Sequence, residues 1–326
     1  MRINRRFLTW GTFFIVMGAI PLAVRAGALT TDQIGSWWNL WPLIVIGVGV
    51  GLVLTRTPFE VLGGLVVALA AGVMAGAFLA AGAGNLPEAA CGNERGTAQL
   101  PARSGTFDGA ATVNLQLNCG EVEVGGSPGT GWTFAGTGDP DHEPTVQGDA
   151  NLLRVESSEE GLSLPMVSRR EHWQIGIPTD VPTGVQLELN AGQATIAPGS
   201  AALRDVNVQV NFGTLVVDLT GATAIGGLDI QSNAGSSSVT LPNLSLSGRL
   251  QVNAGSIEFC TPPGAGLRVR TDESIVSSYD LGGNGLVQDG NTWESPGFEA
   301  AAVQIDLSTE ANAGSITLNP EDGCDG

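Results

Sequence analysis

Six phrases decide the fold: LNCGEVEV at 117–124, LNAGQATI at 189–196, VNFGTLVV at 210–217, SNAGSSSV at 232–239, VNAGSIEF at 252–259 and ANAGSITL at 311–318. Their glycines are Gly120, Gly192, Gly213, Gly235, Gly255 and Gly314, and from Gly192 to Gly255 the steps are 21, 22 and 20 residues. A degenerate unit, VRTDESIV at 269–276, follows Gly255. Self-similarity at a fixed period of this size marks a repeat architecture.

Each unit alternates on both sides of its glycine. Val185, Leu187 and Leu189 precede one glycine, and Val206, Val208 and Val210 the next. Beyond the glycine come pairs such as Leu215/Val217 and Ile257/Phe259. Period-two alternation predicts strands with one buried face. Asn followed closely by Gly is bend chemistry, because Gly tolerates positive φ. A strand–bend–strand unit cannot bury its apolar face alone, whereas stacked units build one continuous core. The expected fold of 106–326 is therefore an all-β, parallel β-helix-like β-solenoid of 20–22-residue rungs. Pro182, Pro198, Pro242, Pro262 and Pro263 fall between strands, where a missing N–H does no harm. An antiparallel β-sandwich is the alternative, but it demands no fixed step. The ends depart from the repeat, as capping units do, and residues 85–105 read as a Gly/Ala/Pro-rich linker.

Further out lies a different object. Residues 1–84 hold three apolar stretches, about 7–24, 37–54 and 59–82, with Trp37, Trp38 and Trp41 clustered as in an interfacial belt. They predict three transmembrane helices in an α-helical membrane unit. Arg2, Arg5, Arg6 and Arg56 fall on one side of these spans and Arg25 on the other. That places the N-terminus in the cytoplasm and the C-terminal domain outside, in a multi-pass protein of the bacterial cell membrane. A cleaved signal peptide ending near Ala26-Gly27-Ala28 is the alternative for the first stretch. Gly47/Gly51 and Gly72/Gly76 have the small-residue spacing of a helix seam, or of ordinary Gly enrichment.

Charge separates the two parts. Residues 1–84 carry five arginines against Asp32 and Glu60, a net of +3; the remainder carries nine arginines against 30 acids, a net of −21. Such a tail repels phosphate backbones, so nucleic-acid binding is excluded as a function class. The chain has no lysine, which removes the phosphate-binding Walker loop, Schiff-base chemistry and Ser-x-x-Lys nucleophiles.

Cys91, Cys119, Cys260 and Cys324 allow two disulfides in three connectivities. Cys260 lies in the rung beside the terminal one, near the tail bearing Cys324, so 260–324 with 91–119 is the expected pairing; free thiols are the alternative. Glu88 in PEAAC argues against lipidation at Cys91. Asp139, Asp141, His142 and Glu143 crowd one turn, but no calcium-loop spacing accompanies them. His142 and His172 lack zinc-ligand spacing. Asp272-Glu273 could pair as acid and base but read as surface. No catalytic residue, metal or cofactor is expected, and the chain is read as a non-enzyme.

RRFLTWGTFFIVMGAI followed by WWNLWPLIVIGVG resembles the LiaI/LiaF-like transmembrane region of bacterial envelope-stress proteins. The N-A-G-S-I phrases, VNLQLNCGEVEV and GFEAAAVQIDLS resemble the toast-rack and "putative adhesin" domains, including the C-terminal domain of LiaF-like proteins. The resemblance implies a cell-envelope protein that senses or modulates envelope stress through a membrane histidine kinase; it carries over no functional residue. Expected partners are the lipid bilayer and a histidine kinase or cell-wall component, with homo-oligomerisation a further option. A surface adhesin or self-associating scaffold is the alternative function, and a hydrolase or lyase on the β-helix a third.

Overall fold

The structure, a computed structural model, describes residues 10–19, 45–46, 60–81, 97–158, 170–273, 277–320 and 323–324. The chain divides into two compact units, Met1–Ala89 and Ala90–Gly326.

In the first unit, helices run over 10–19 and over Glu60–Ala81. They meet at Gly72, where a Cβ would stand 3.0 Å from the Phe13 carbonyl oxygen and from the Val16 side chain. Among the described residues no helix is long and apolar enough to cross a membrane. This corrects the three-span membrane unit and the multi-pass membrane placement with a cytoplasmic N-terminus. The helix at 10–19 reaches about 15 Å, roughly half of a hydrocarbon core. Glycine and alanine fill half of Glu60–Ala81, which starts on a carboxylate. Most of the expected second span, and the Gly47/Gly51 pair, lie outside the described residues.

The second unit is a 16-stranded sheet. Its strands are β1 (Ala98–Gln99), β2 (Arg103–Thr106), β3 (Ala111–Ser127), β4 (Gly131–Gly138), β5 (Thr145–Gly148) and β6 (Leu152–Glu156). There follow β7 (Glu171–Pro178), β8 (Thr183–Ala197), β9 (Leu203–Asp218), β10 (Leu228–Thr240) and β11 (Leu246–Cys260). The last are β12 (Gly266–Glu273), β13 (Ser278–Asp280), β14 (Val287–Asp289), β15 (Thr292–Glu294) and β16 (Gln304–Leu318).

The path β3-β8-β9-β10-β11-β16 is parallel throughout. Its connections force the shape. A straight 15-residue strand such as β8 would span about 50 Å. Residues 198–202, which link it to β9, reach about 20 Å at most. Each strand must therefore bend so that its end returns toward its start. The bend falls at the glycines, which stand in register from Gly120 through Gly192, Gly213, Gly235 and Gly255 to Gly314.

Apolar side chains stack in columns along this path. Leu115, Leu187, Val208, Ile230 and Leu250 form one column before the bend, and Val124, Ile196, Val217, Val239, Phe259 and Leu318 one after it. All are buried, each contributing about 1.5–3 kcal/mol of transfer free energy. Two serines interrupt the neighbouring columns within β10: Ser232 and Ser237 are buried, and among the described residues their hydroxyls have no hydrogen-bond partner.

The ends switch to antiparallel pairing. β4 pairs antiparallel with β1, β2 and β7, and β5 with β6; at the other end β15 pairs antiparallel with β12 and β14. Large rings close the core there: Trp132, Phe134 and Trp173 at one end, Phe298 and the partly buried Trp293 at the other. The described part of the degenerate unit, residues 269–273, does not stack on the coil of Gly255. β16, later in the chain, inserts between β11 and β12, and Val269 stands opposite Leu307 rather than opposite the glycine phrase.

Candidate functional site

The glycine row is a close-contact seam. A Cβ built at Gly192, Gly213, Gly235 or Gly255 would collide with the carbonyl oxygen of the preceding glycine in the row. At Gly235 and Gly255 φ is 137° and 132°, backbone that L side chains rarely adopt. Gly314 is relaxed by comparison, its Cβ position lying 2.7 Å from the Gly255 oxygen and its φ outside the positive set.

Two residues before each glycine stands an asparagine, and the six form a hydrogen-bonded ladder. Asn190 Nδ2 donates to Asn118 Oδ1 (3.0 Å), Asn211 to Asn190 (2.7 Å), Asn233 to Asn211 (2.6 Å), Asn253 to Asn233 (2.5 Å) and Asn312 to Asn253 (2.7 Å). Every bond points toward the start of the chain, so the carboxamide dipoles align and polarise one another. Sequence reasoning assigned these asparagines only to the bend; their invariant offset from glycine was the signal of a ladder.

Outside the ladder, glutamines at the next outward position lean on it. Gln209 Nε2 donates to Asn211 Oδ1 (3.3 Å) and Gln231 Nε2 to Asn233 Oδ1 (3.1 Å). At the near end, the Asn118 backbone N–H donates to Ser157 Oγ (3.1 Å), whose hydroxyl donates to the buried Glu171 (2.9 Å).

The cysteines hold the far end. Cys260 at the close of β11 is joined to Cys324 by a disulfide across 64 residues, and the Cys324 carbonyl accepts from Ser238 Oγ on β10 (2.6 Å). The tail thus crosses back over two coils. Cys119 is also disulfide-bonded; Cys91 lies outside the described residues.

The acidic turn is held partly by its own bonds, and the His142 carbonyl accepts from Ser158 Oγ (3.1 Å). Asp139 is buried, accepts the Asp141 backbone N–H (3.0 Å) and lies 3.2 Å from His142 Nδ1. His172 Nδ1 lies instead 3.4 Å from Glu121 Oε2, so the two histidines serve different carboxylates. Among the described residues no group of three or more His, Cys, Asp or Glu could hold a metal ion. Asp272 is exposed at the end of β12, where its carbonyl accepts from Tyr279 Oη (2.6 Å); the Glu273 side chain lies outside the described set.

A clasp near the C-terminal end was not foreseen. Arg268 reaches Glu294 (2.7 Å), Glu299 (2.6 Å) and Asp306 (3.6 Å) and lies 4.0 Å above the Phe298 ring, while Arg270 takes Asp306 at 2.7 Å. Hydrogen bonds to Glu294 and then Glu299 push the Arg268 guanidinium well above its ordinary range. A shallow hollow of about 500 Å³ lies on β3, β4, β7 and β8, lined by Glu123, Gly126, Thr133, Gln174 and Thr195 among others. Gln174 Nε2 donates to Glu123 there (3.4 Å). These arrangements supply hydrogen-bonding faces and fixed charges.

Residues 106–241 match the family described as the N-terminal domain of toast_rack, DUF2154. No curated protein matches the chain. Among solved structures it is similar to a "putative cell adhesion protein" from Clostridium sporogenes, with 19% identity, a TM-score of 0.45, and coverage of 68% of this chain and 98% of that one. A "putative adhesin" from Bacteroides fragilis gives 12%, 0.28, and 68% and 97%; a "putative lipid binding protein" from Parabacteroides distasonis gives 11%, 0.27, and 70% and 98%. The matched residues 106–241 carry the toast-rack part of the resemblance, and none of them falls in the LiaI/LiaF-like region.

Proposed function

We propose that this chain is a non-enzymatic, β-rich surface protein of the adhesin type, whose coil holds a rigid recognition face toward its partner. The observation that carries this reading is the unbroken register of glycine and asparagine from β3 to β16, which fixes outward side chains in straight rows. Rigid rows limit the entropy lost on binding, so many weak contacts can add up. The toast-rack match over 106–241 is consistent with it. The Cys260–Cys324 disulfide belongs to an oxidising compartment, where surface proteins mature. The partner is a cell-wall component, a foreign surface or a second copy of the chain.

The resemblance to LiaF-like proteins favours a second reading, sensing or modulation of envelope stress through a histidine kinase. A strain lacking the gene separates the two. The adhesin reading expects reduced clumping or surface attachment with normal induction of wall-stress genes. Normal attachment with altered induction overturns it in favour of the second.

A further inference from the structure

We propose that the outward face of the half-strands preceding the glycines is a docking face for an uncharged glycan chain; the inference rests on the adhesin reading and names its ligand class. The face is built from one row. Gln116, Glu188, Gln209, Gln231, Gln251 and Glu310 stand in register on six consecutive strands, about 4.8 Å apart, immediately outside the asparagine ladder.

The carboxamides are oriented and have capacity left. Gln209 and Gln231 each spend one N–H on the ladder, which fixes the amide and leaves its carbonyl oxygen and second N–H for a ligand. Gln251 makes no side-chain hydrogen bond among the described residues. A sugar hydroxyl both donates and accepts, and a carboxamide meets it with both functions in one plane. Equivalent carboxamides on alternate strands stand about 9.6 Å apart, so an extended chain laid across the strands meets the same group repeatedly.

Charge selects the occupant. This row and the one outside it hold Glu188, Glu310, Asp229 and Arg249, a net of −2, within a tail of −21. An anionic polymer is repelled by the surrounding tail, and a basic one finds denser acid elsewhere. A neutral polyhydroxyl chain fits a carboxamide row whose net charge is this small.

The full chain is applied to cellulose, chitin and curdlan, three insoluble uncharged glycans, with heparin-agarose as the anionic comparison. Retention is expected on at least one of the three and not on heparin. The variant Q209A/Q231A/Q251A should weaken it about tenfold. The opposite-face variant T214A/S236A/S256A should stay within about twofold, with both variants keeping the parent melting temperature within a few degrees. If the triple variant does not fold, Gln251→Ala alone serves, with about threefold loss expected. Retention on none of the three glycans, or equal loss from both faces, overturns the proposal. Cells that lose attachment on gene deletion but keep it with Q209A/Q231A/Q251A overturn the glycan face and leave the adhesin reading standing.

Discussion

Asn233 gives its Nδ2 hydrogen to Asn211 Oδ1 at 2.6 Å and receives that of Asn253 on its own Oδ1. It is therefore both donor and acceptor in the middle of a half-buried chain of carboxamides. Asn233→Ala takes the acceptor from Asn253 and Gln231 and leaves Asn211 Oδ1 with the longer bond from Gln209 alone, and a loss of about 1–3 kcal/mol follows. Urea unfolding should show a lower midpoint with an unchanged slope. Asn233→Asp should be worse at neutral pH, because a carboxylate faces the Asn211 oxygen with no hydrogen to give. The substituted acid is protonated more readily folded than unfolded. Its stability deficit is therefore full above the folded carboxyl value, shrinks as pH falls through it, and is relieved below the unfolded value of about 4. An equal midpoint shift at pH 3 and pH 7 would contradict the ladder.

Gly235→Ala and Gly314→Ala make the same change on paper, a methyl in place of one hydrogen. At Gly235 the backbone holds φ at 137° and the new methyl would enter the Gly213 carbonyl; at Gly314 the strain is absent and the contact is 2.7 Å to the Gly255 oxygen. Gly235→Ala should cost on the order of 3 kcal/mol or prevent folding, and Gly314→Ala markedly less. Parallel thermal melts decide it, and matching melting temperatures would remove the seam as the reason for glycine.

How much of this was legible follows from which interactions have a period. The glycine steps of 21, 22 and 20 residues are the register of β8 to β11, so a short-range pattern encoded a long-range pairing. The asparagine ladder was equally periodic, but its chemistry emerges only once consecutive coils lie a strand spacing apart. β16 stacks on β11 although β12 comes first in sequence, and no local pattern records such an insertion. The Arg268 clasp joins residues 26 to 38 positions apart on four different segments, so it has no sequence signature. The apolar stretches near the N-terminus misled for the opposite reason. Hydropathy averaged over a window says that residues avoid water, and says nothing of where a helix starts and stops.

Ser232 and Ser237 occupy positions where neighbouring strands place Val210 and Val252, or Leu215 and Ile257. Their hydroxyls are buried without partners among the described residues, at a desolvation cost of about 1–3 kcal/mol each. Valine restores the column and removes the unpaired group. Ser232→Val should raise stability by about 1 kcal/mol, read as a melting temperature about 2–4 °C higher. A lower melting temperature would mean that the column is too tight for the added methyls.

Arg268→Met keeps the aliphatic stem over Phe298 but removes the charge that Glu294, Glu299 and Asp306 share. Three carboxylates are then left close together, so the variant should melt lower than the parent. Added sodium chloride screens their repulsion and should narrow the gap. A gap that stays constant from low to high salt would assign the loss to packing instead.

The Cys260–Cys324 bridge closes 64 residues, a span that includes β12 to β16. In the chain-entropy account such a loop stabilises by up to about 4 kcal/mol, acting on the unfolded chain. The same tail also ties Ser238 on β10 to the Cys324 carbonyl, so cutting the bridge frees a strap that crosses two coils. Cys324→Ala should lower the melting temperature by about 5–15 °C, and a reductant, which also opens the Cys119 bridge, should lower that of the parent protein at least as far. Ser238→Ala, which leaves the bridge intact, should cost about 1 kcal/mol. Hydrogen exchange locates the effect: amides of β16 and β12 should lose protection in Cys324→Ala before those of β8 and β9. Uniform loss along the coil would show that the bridge stabilises the stack as one cooperative unit rather than holding its far end.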